Sequence, residues 1–187
     1  MKFRIPIFLL CLLIGATASA QHLSQKNYQK KIVKDMKFIK ISDSIYYDKN
    51  EICNLDWMEY QFWLEKVYGK ESPEYRAALP DKEIIRQQMP LVEPDVYLHS
   101  PAYIHLPVFG VNTEQARTYC RWRTDRVAEF ILVNMKLLEW NPEQNPNNFF
   151  TLQNNNNLPA DLRWLIFSLP AKTMETSYGF RCCAQWR

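Results

Sequence analysis

The residues best able to do chemistry are the cysteines, Cys11, Cys53, Cys120, Cys182 and Cys183. Thiols can be nucleophiles, soft-metal ligands or disulfide partners, and spacing separates these roles. No C-x-x-C occurs, so thioredoxin-like and zinc-ribbon chemistry has no support. His99 and His105 lie among prolines and His22 stands far from both, a scatter that reads as chance rather than a metal site. There is no G-x-S-x-G, no glycine-rich phosphate loop and no H-E-x-x-H. Asp43 and Asp48 fall in turn-like segments and are expected to be solvated. Arg121, Arg123 and Arg126 give one helix a basic side, expected to pair with local acids such as Asp125 and Glu129. The cluster Trp57, Tyr60, Phe62 and Trp63 is expected in the core, with Trp63 or Tyr68 as the alternative contact surface.

The start of the chain bears on the thiol count. Lys2 and Arg4 precede an apolar run, Ile5 to Ile14, and then Ala18-Ser19-Ala20. This pattern predicts a secretory leader over residues 1–20, removed before Gln21. Its apolar stretch is short for a transmembrane span, and no later run approaches that length. Phe8-Leu9-Leu10 before Cys11 does not fit a lipoprotein signal. Cleavage would leave Cys53, Cys120, Cys182 and Cys183, an even set in an exported chain, which favours disulfides. It would also remove Lys2 and Arg4, two of the net +3 charges. A nucleic-acid partner is not expected from so weak a positive balance.

The elements that must position these residues can be read from punctuation and period. The 187 residues are 47% hydrophobic and include 11 prolines but 4 glycines, which suits one folded domain with stiff connections. Residues 21–35 form a polar, lysine-rich arm, and 36–187 the domain. Strand or hairpin is expected over Phe38 to Tyr47, and a short strand at Glu51 to Cys53. Asn54 is placed to cap a helix ending at Gly69, apolar on both the Leu55-Met58-Phe62 and the Trp57-Tyr60-Leu64 stripes and so buried from two sides. Ser72 to Pro107 reads as an irregular, proline-rich excursion with a helical turn or two near Asp81 to Gln88. Asn112-Thr113-Glu114-Gln115 fits a capping box. The helix it starts should reach Arg126 or extend to Glu139, with Ala116, Tyr119, Cys120, Val127, Phe130 and Ile131 facing inward. Asn141 to Asn157 reads as loop, Leu158 to Leu169 as short helical turns, and Tyr178 to Trp186 as a last strand.

Four separated patches, in order, resemble the formylglycine-generating enzyme, or sulfatase-modifying factor, family. They are Glu51-Ile52-Cys53-Asn54; Pro107-Val108-Phe109-Gly110-Val111 with Ala116 and Tyr119-Cys120; Leu158-Pro159-Ala160-Asp161-Leu162-Arg163-Trp164; and Gly179-Phe180-Arg181-Cys182. His99, Pro101-Ala102-Tyr103, Trp122 to Val127 and Asn141-Pro142-Glu143-Gln144 resemble more narrowly the branch found in gliding-motility lipoproteins.

The resemblance implies an α+β, C-type-lectin-like fold with short twisted strands, two main helices and long irregular loops. It implies a Cys120–Cys182 disulfide, which would close a loop of about 60 residues and contribute roughly 4 kcal/mol. Cys53 and Cys183 then remain as a candidate second bridge. Catalytic members bind copper through a C-x-x-x-x-C pair that this sequence lacks, and Trp164 and Gly179 stand too close to hold the segment that carries it. Cys182 and Cys183 as a substitute copper pair are less economical than two structural bridges. The expectation is an exported, non-catalytic module without cofactor, binding or assembling with an envelope protein in the periplasm or at the cell surface, possible neighbours being gliding or secretion machinery. The alternative is an enzyme of the same fold with an atypical site. A third reading, a lectin-like module, rests on fold analogy.

Overall fold

A computed structural model of the chain describes residues 38–40, 45–154, 174–175 and 180–185. The expected leader and arm, His22, Asp43, and the motif residues Leu158, Pro159, Trp164 and Gly179 lie outside them. The chain divides into two compact units, residues 1–39 and 40–187, and the described helices and the core they form belong to the second.

The described residues mix five helices with short strands, an α+β composition. The first helix, α1, is Asn54–Tyr68, and its end at Gly69 follows the sequence. Its start differs by one position. Cys53 is the cap residue, and its N–H donates to the Asp56 carboxylate (2.9 Å). Asn54 is already helical, and its buried amide donates to the carbonyls of Tyr97 (2.9 Å) and Tyr103 (3.0 Å). The first free N–H groups of α1, from Asn54 and Leu55, find the carbonyls of Leu106 and Ile104. Thus the loop before residue 107 closes the start of α1.

The proline-rich excursion is more regular than its composition indicates. It holds α2 (Pro73–Ala77), α3 (Lys82–Gln88) and α4 (Pro94–His99). Pro73 and Pro94 stand in the first turn, where a missing N–H costs nothing. The Ser72 hydroxyl accepts from Tyr75 N (3.1 Å) and the Asp81 carboxylate from Glu83 N (2.8 Å). Here the prolines start helices.

The longest helix, α5, is Thr113–Asn134. The expected capping box is present: Asn112 Oδ1 accepts from Gln115 N (2.9 Å), and Gln115 Oε1 from Asn112 N (2.8 Å). Ala116, Tyr119, Cys120 and Ile131 are buried as expected, together with Ala128 and Leu132. Phe130 is not; it is 63% exposed. It stands two positions after fully buried Ala128, about 200° round the helix, and so must face out.

Strand β2 (Ile45–Asp48) pairs antiparallel with β5 (Cys183–Gln185), with Tyr47 opposite Cys183. Strand β3 (Met174–Glu175) pairs antiparallel with β4 (Phe180–Arg181). The remaining strand, β1, is Phe38–Lys40. The expected single last strand is therefore two, broken at Cys182. The expected strand at Glu51 to Cys53 reduces to a bridge between Cys53 and Pro107.

The core centres on Trp57. Its ring stacks on Tyr119 (5.4 Å between centroids), meets Tyr60 and Phe180 edge-on, and donates Nε1–H to the Ala78 carbonyl (3.0 Å). Ile52, Leu64, Ile85, Tyr97, Leu98 and Val108 surround it. Only one of the two expected stripes of α1 is fully covered: Trp57, Tyr60 and Leu64 are buried, Leu55 and Met58 half-buried, and Phe62 is 70% exposed. The helix lies against one layer, not between two.

Candidate functional site

Three of the four motif patches meet in space. Ile52 N donates to Phe180 O (2.9 Å), and Val108 N to Ile52 O (3.0 Å), so the patches at 51–54, 107–111 and 180–182 run side by side. Pro107 supplies its carbonyl to the Tyr97 hydroxyl (2.6 Å). Gly110 has φ +77°, and an added Cβ would lie 2.4 Å from the Asp81 carbonyl oxygen. Its own carbonyl accepts from Asp81 N (2.7 Å), so glycine is required by close backbone approach as well as by φ. Arg181, in β4 opposite Met174, is half-buried.

Cys120 and Cys182 form the disulfide that ties α5 to the junction of β4 and β5. The second bridge is not formed. Cys53 is a free, half-buried thiol. Its position as the helix cap beside Asp56 separates it from the disulfide's chemistry. Burial and the neighbouring Asp56 side chain push its pKa up, which disfavours the thiolate that nucleophilic or metal-binding chemistry needs.

Asp48 corrects another expectation. It is not a solvated turn residue but is buried, at 5% exposure, because β5 and α5 cover the end of β2. Its Oδ2 lies 2.6 Å from Arg123 Nη1 and accepts from Cys182 N (3.0 Å). Burial alone would lower the Arg123 pKa; attraction to Asp48 outweighs this and holds it above the ordinary value. Arg123 thus pairs with Asp48, across the fold rather than along its helix. Arg121 faces Glu114, and Arg126 pairs with Glu129 at 2.8 Å.

His99 and His105 are exposed, and His99 Nδ1 lies 2.9 Å from the Asp95 carbonyl of its own helix. Among the described residues, no group of three or more His, Cys, Asp or Glu is arranged to hold a metal ion. No helix there is long and apolar enough to cross a membrane.

The strongest candidate site is a cleft of about 530 Å³ between α1 and α5, a size suited to a small ligand or a short chain segment. From α1 come Tyr60, Trp63, Leu64 and Tyr68; from α5 come Thr118, Arg121, Trp122, Asp125 and Arg126. Glu74, Ala77 and Ala78, the Asn112 cap with Glu114 and Gln115, and Phe149 complete it. The rings form a continuous wall: Tyr60–Trp122 at 5.0 Å, Trp122–Trp63 at 6.1 Å, Trp63–Phe149 at 5.3 Å and Phe149–Tyr68 at 5.9 Å between centroids. The sequence clustered the aromatics but could not show that α5 leaves this side of α1 open.

One residue that the sequence offered only as part of a family-like run, with no role, shapes this wall. Gln144, buried in the 141–154 loop, accepts from Trp63 Nε1 (2.8 Å) and Arg126 Nη1 (2.9 Å) through one oxygen, and its Nε2 donates to Glu129 Oε1 (2.8 Å). Arg126 also donates to Phe150 O and lies 4.9 Å above the Trp63 ring. Asp125 accepts from Leu152 N (3.0 Å), and Lys66 donates to Pro142 O (2.9 Å). The loop is thereby clamped onto both helices, with Phe149 at the cleft. Burial raises the pKa of Glu129 and of Asp125 and lowers that of Arg126; the mutual attraction of Arg126 and Glu129 only partly offsets it. Nothing in the Asn-Pro-Glu-Gln run itself names these distant partners.

No family model, no curated protein and no solved structure matches the chain.

Proposed function

We propose that this chain is an exported, non-catalytic module of the sulfatase-modifying-factor type, with a C-type-lectin-like fold, that serves binding or assembly at the bacterial envelope beside gliding or secretion machinery. The observation that carries the reading is the clamped aromatic cleft between α1 and α5: a preformed concave surface held by the buried Gln144–Arg126–Glu129 network. Preorganisation of this kind lowers the ordering cost of binding. The meeting of three motif patches around Trp57 supports the family assignment, because each forms a junction that the core uses. The disulfide suits an oxidising compartment.

The cysteines support the non-catalytic part. Two are consumed in the disulfide, and Cys53 is tuned away from the thiolate. The test is affinity capture from envelope fractions of the native cell, with the parent chain and with Gln144→Ala. Recovery of motility or secretion components by the parent, reduced in the variant, is the expected result. Tight thiolate binding of one copper ion with conversion of a cysteine peptide would overturn the reading in favour of an atypical enzyme of the same fold.

A further inference from the structure

We propose that this chain is a client of a thiol–disulfide isomerase in the compartment that receives it, which moves Cys120 from a wrong bridge with Cys53 to its native bridge with Cys182. The proposal goes beyond the binding-module reading and takes from it only the export of the chain into an oxidising compartment.

Four cysteines follow the expected leader, and the native structure pairs Cys120 with Cys182 while Cys53 stays a free thiol. Nothing in chain length singles that pair out. Cys120 stands 62 positions from Cys182, 63 from Cys183 and 67 from Cys53. Loop-closure probability falls only as about the 3/2 power of loop length, so in the unfolded chain these three encounters differ in frequency by no more than about a fifth. Encounters of Cys53 with Cys182 or Cys183 are about threefold rarer. Cys182 and Cys183 bridge each other poorly, since adjacent Cα atoms stand about 3.8 Å apart and a disulfide spans about 4.4–6.8 Å. Roughly two of every three first bridges to Cys120 are therefore wrong.

The native choice is made by tertiary structure. Cys182 follows Phe180, whose ring meets Trp57 and Tyr119 in the core. Its N–H also reaches the Asp48 carboxylate, and Asp48 is held by Arg123, three positions after Cys120 on α5. These contacts belong to the assembled core and cannot guide the first bridge of an unfolded chain. A wrong bridge in turn blocks them: with Cys120 held to Cys53 at the start of α1, the junction of β4 and β5 cannot be tied to α5. Once closed, the native bridge is shut away, Cys120 being 2% and Cys182 5% exposed. Burial and Asp56 then keep Cys53 from the thiolate form that would attack it. Reshuffling belongs to the stage before folding, when all four sulfurs are open.

The exchange conserves electrons. The first bridge forms when a disulfide-bearing oxidant takes two electrons and two protons from Cys53 and Cys120 and becomes a dithiol. The isomerase thiolate attacks Cys120 Sγ, breaking its bond to Cys53, which leaves as a thiolate. The Cys182 thiolate attacks the same sulfur of the mixed disulfide and releases the isomerase thiolate. One disulfide replaces another with no net oxidation.

The test is oxidative refolding of the exported chain, reduced and denatured, in a glutathione buffer with and without protein disulfide isomerase, quenched by alkylation and read by peptide mapping. Early samples are expected to hold Cys53–Cys120 and Cys120–Cys183 bridges beside the native one. The isomerase is expected to speed arrival at Cys120–Cys182 about tenfold or more. Cys53→Ser combined with Cys183→Ser removes every competitor, and serine is a favoured cap for α1. This double variant should form the native bridge at a rate that the isomerase leaves unchanged. The native bridge alone in early samples, or equally fast arrival of the parent without isomerase, overturns the proposal. An equal isomerase effect in the double variant overturns it too. These outcomes concern the pairing; recovery of the chain from inside the cell with Cys120 and Cys182 reduced would instead overturn the export reading, and the client's place with it.

Discussion

Asp48 and Arg123, 75 residues apart, form a buried ion pair at 2.6 Å, and the same Asp48 oxygen receives the N–H of disulfide-bonded Cys182. One carboxylate thereby joins β2, α5 and the last strands. Removing it leaves a buried guanidinium without its partner. Asp48→Ala should cost roughly 3–5 kcal/mol, read as a lower urea midpoint with unchanged slope. Asp48→Leu with Arg123→Met should recover much of the loss, because an apolar pair leaves no uncompensated charge. Equal damage from the double variant would show that the pair's charges are not the cause.

The Cys120–Cys182 bridge closes a loop across 62 positions. Its reduction, or Cys182→Ser, should lower stability by roughly 4 kcal/mol in the chain-entropy model. Alkylation of the native chain followed by peptide mapping should leave Cys120 and Cys182 unlabelled. Cys53 should label slowly, as its half-buried, raised-pKa thiol requires. Rapid Cys53 labelling at neutral pH would contradict the described environment.

Gly110→Ala should destabilise by more than about 1 kcal/mol, since the positive φ alone carries that cost for an L residue. The 2.4 Å approach of the new Cβ to Asp81 O adds to it, because the obstacle is backbone rather than a mobile side-chain end. Thermal unfolding of the variant measures it, and a neutral result would mean that the 81/110 contact is looser than described.

Gln144→Ala strips hydrogen bonds from buried Glu129 and from half-buried Trp63 and Arg126 at once, and should cost about 1–3 kcal/mol for the groups it leaves unsatisfied. Proteolysis should then begin in the 141–154 loop. The same network sets a pH dependence. Burial raises the folded-state pKa of Glu129, so the folded chain holds this proton more readily than the unfolded one. The stabilisation is complete below the ordinary carboxylate value and is lost as pH rises through the folded value. Between mildly acidic and neutral pH, Glu129→Gln should therefore flatten a downward slope of stability; a steeper slope in the variant would reverse the assigned sign.

Two aromatics on α1 should behave oppositely. Trp57→Ala removes the centre of the core and should cost about 3–5 kcal/mol. Phe62→Ser, at a position 70% exposed, should stay within about 0.5 kcal/mol of the parent. A large loss at Phe62 would show that this face is covered in solution.

What could be read without coordinates was local chemistry. Gly69 ends α1, Asn112 with Gln115 starts α5, and Lys82–Gln88 is helical, each signalled within a few residues. The disulfide came through the family resemblance. Several misreadings turn on distant partners. Nothing near Asp48 announces Arg123, and nothing near Gln144 announces Trp63. Leu55-Met58-Phe62 and Trp57-Tyr60-Leu64 have equivalent periodicity, and only the placement of α5 decides which is covered. The prolines at 73 and 94 were ambiguous in kind, since the residue that breaks a helix interior also suits its first turn. The aromatic composition of the cleft was legible, but its opening was a matter of packing.

The pairing of Asp48 and Ile52 with residues 180–182 has a consequence in time. These contacts span more than a hundred positions, and Phe180 packs on Trp57 at the centre of the core. The helices between them can form early, but the hydrophobic centre stays open on one side until residues 180–182 have emerged from the ribosome. Such late closure slows folding and prolongs exposure of the apolar interior. For a chain exported as proposed, and so threaded through a membrane before it folds, that delay is an advantage.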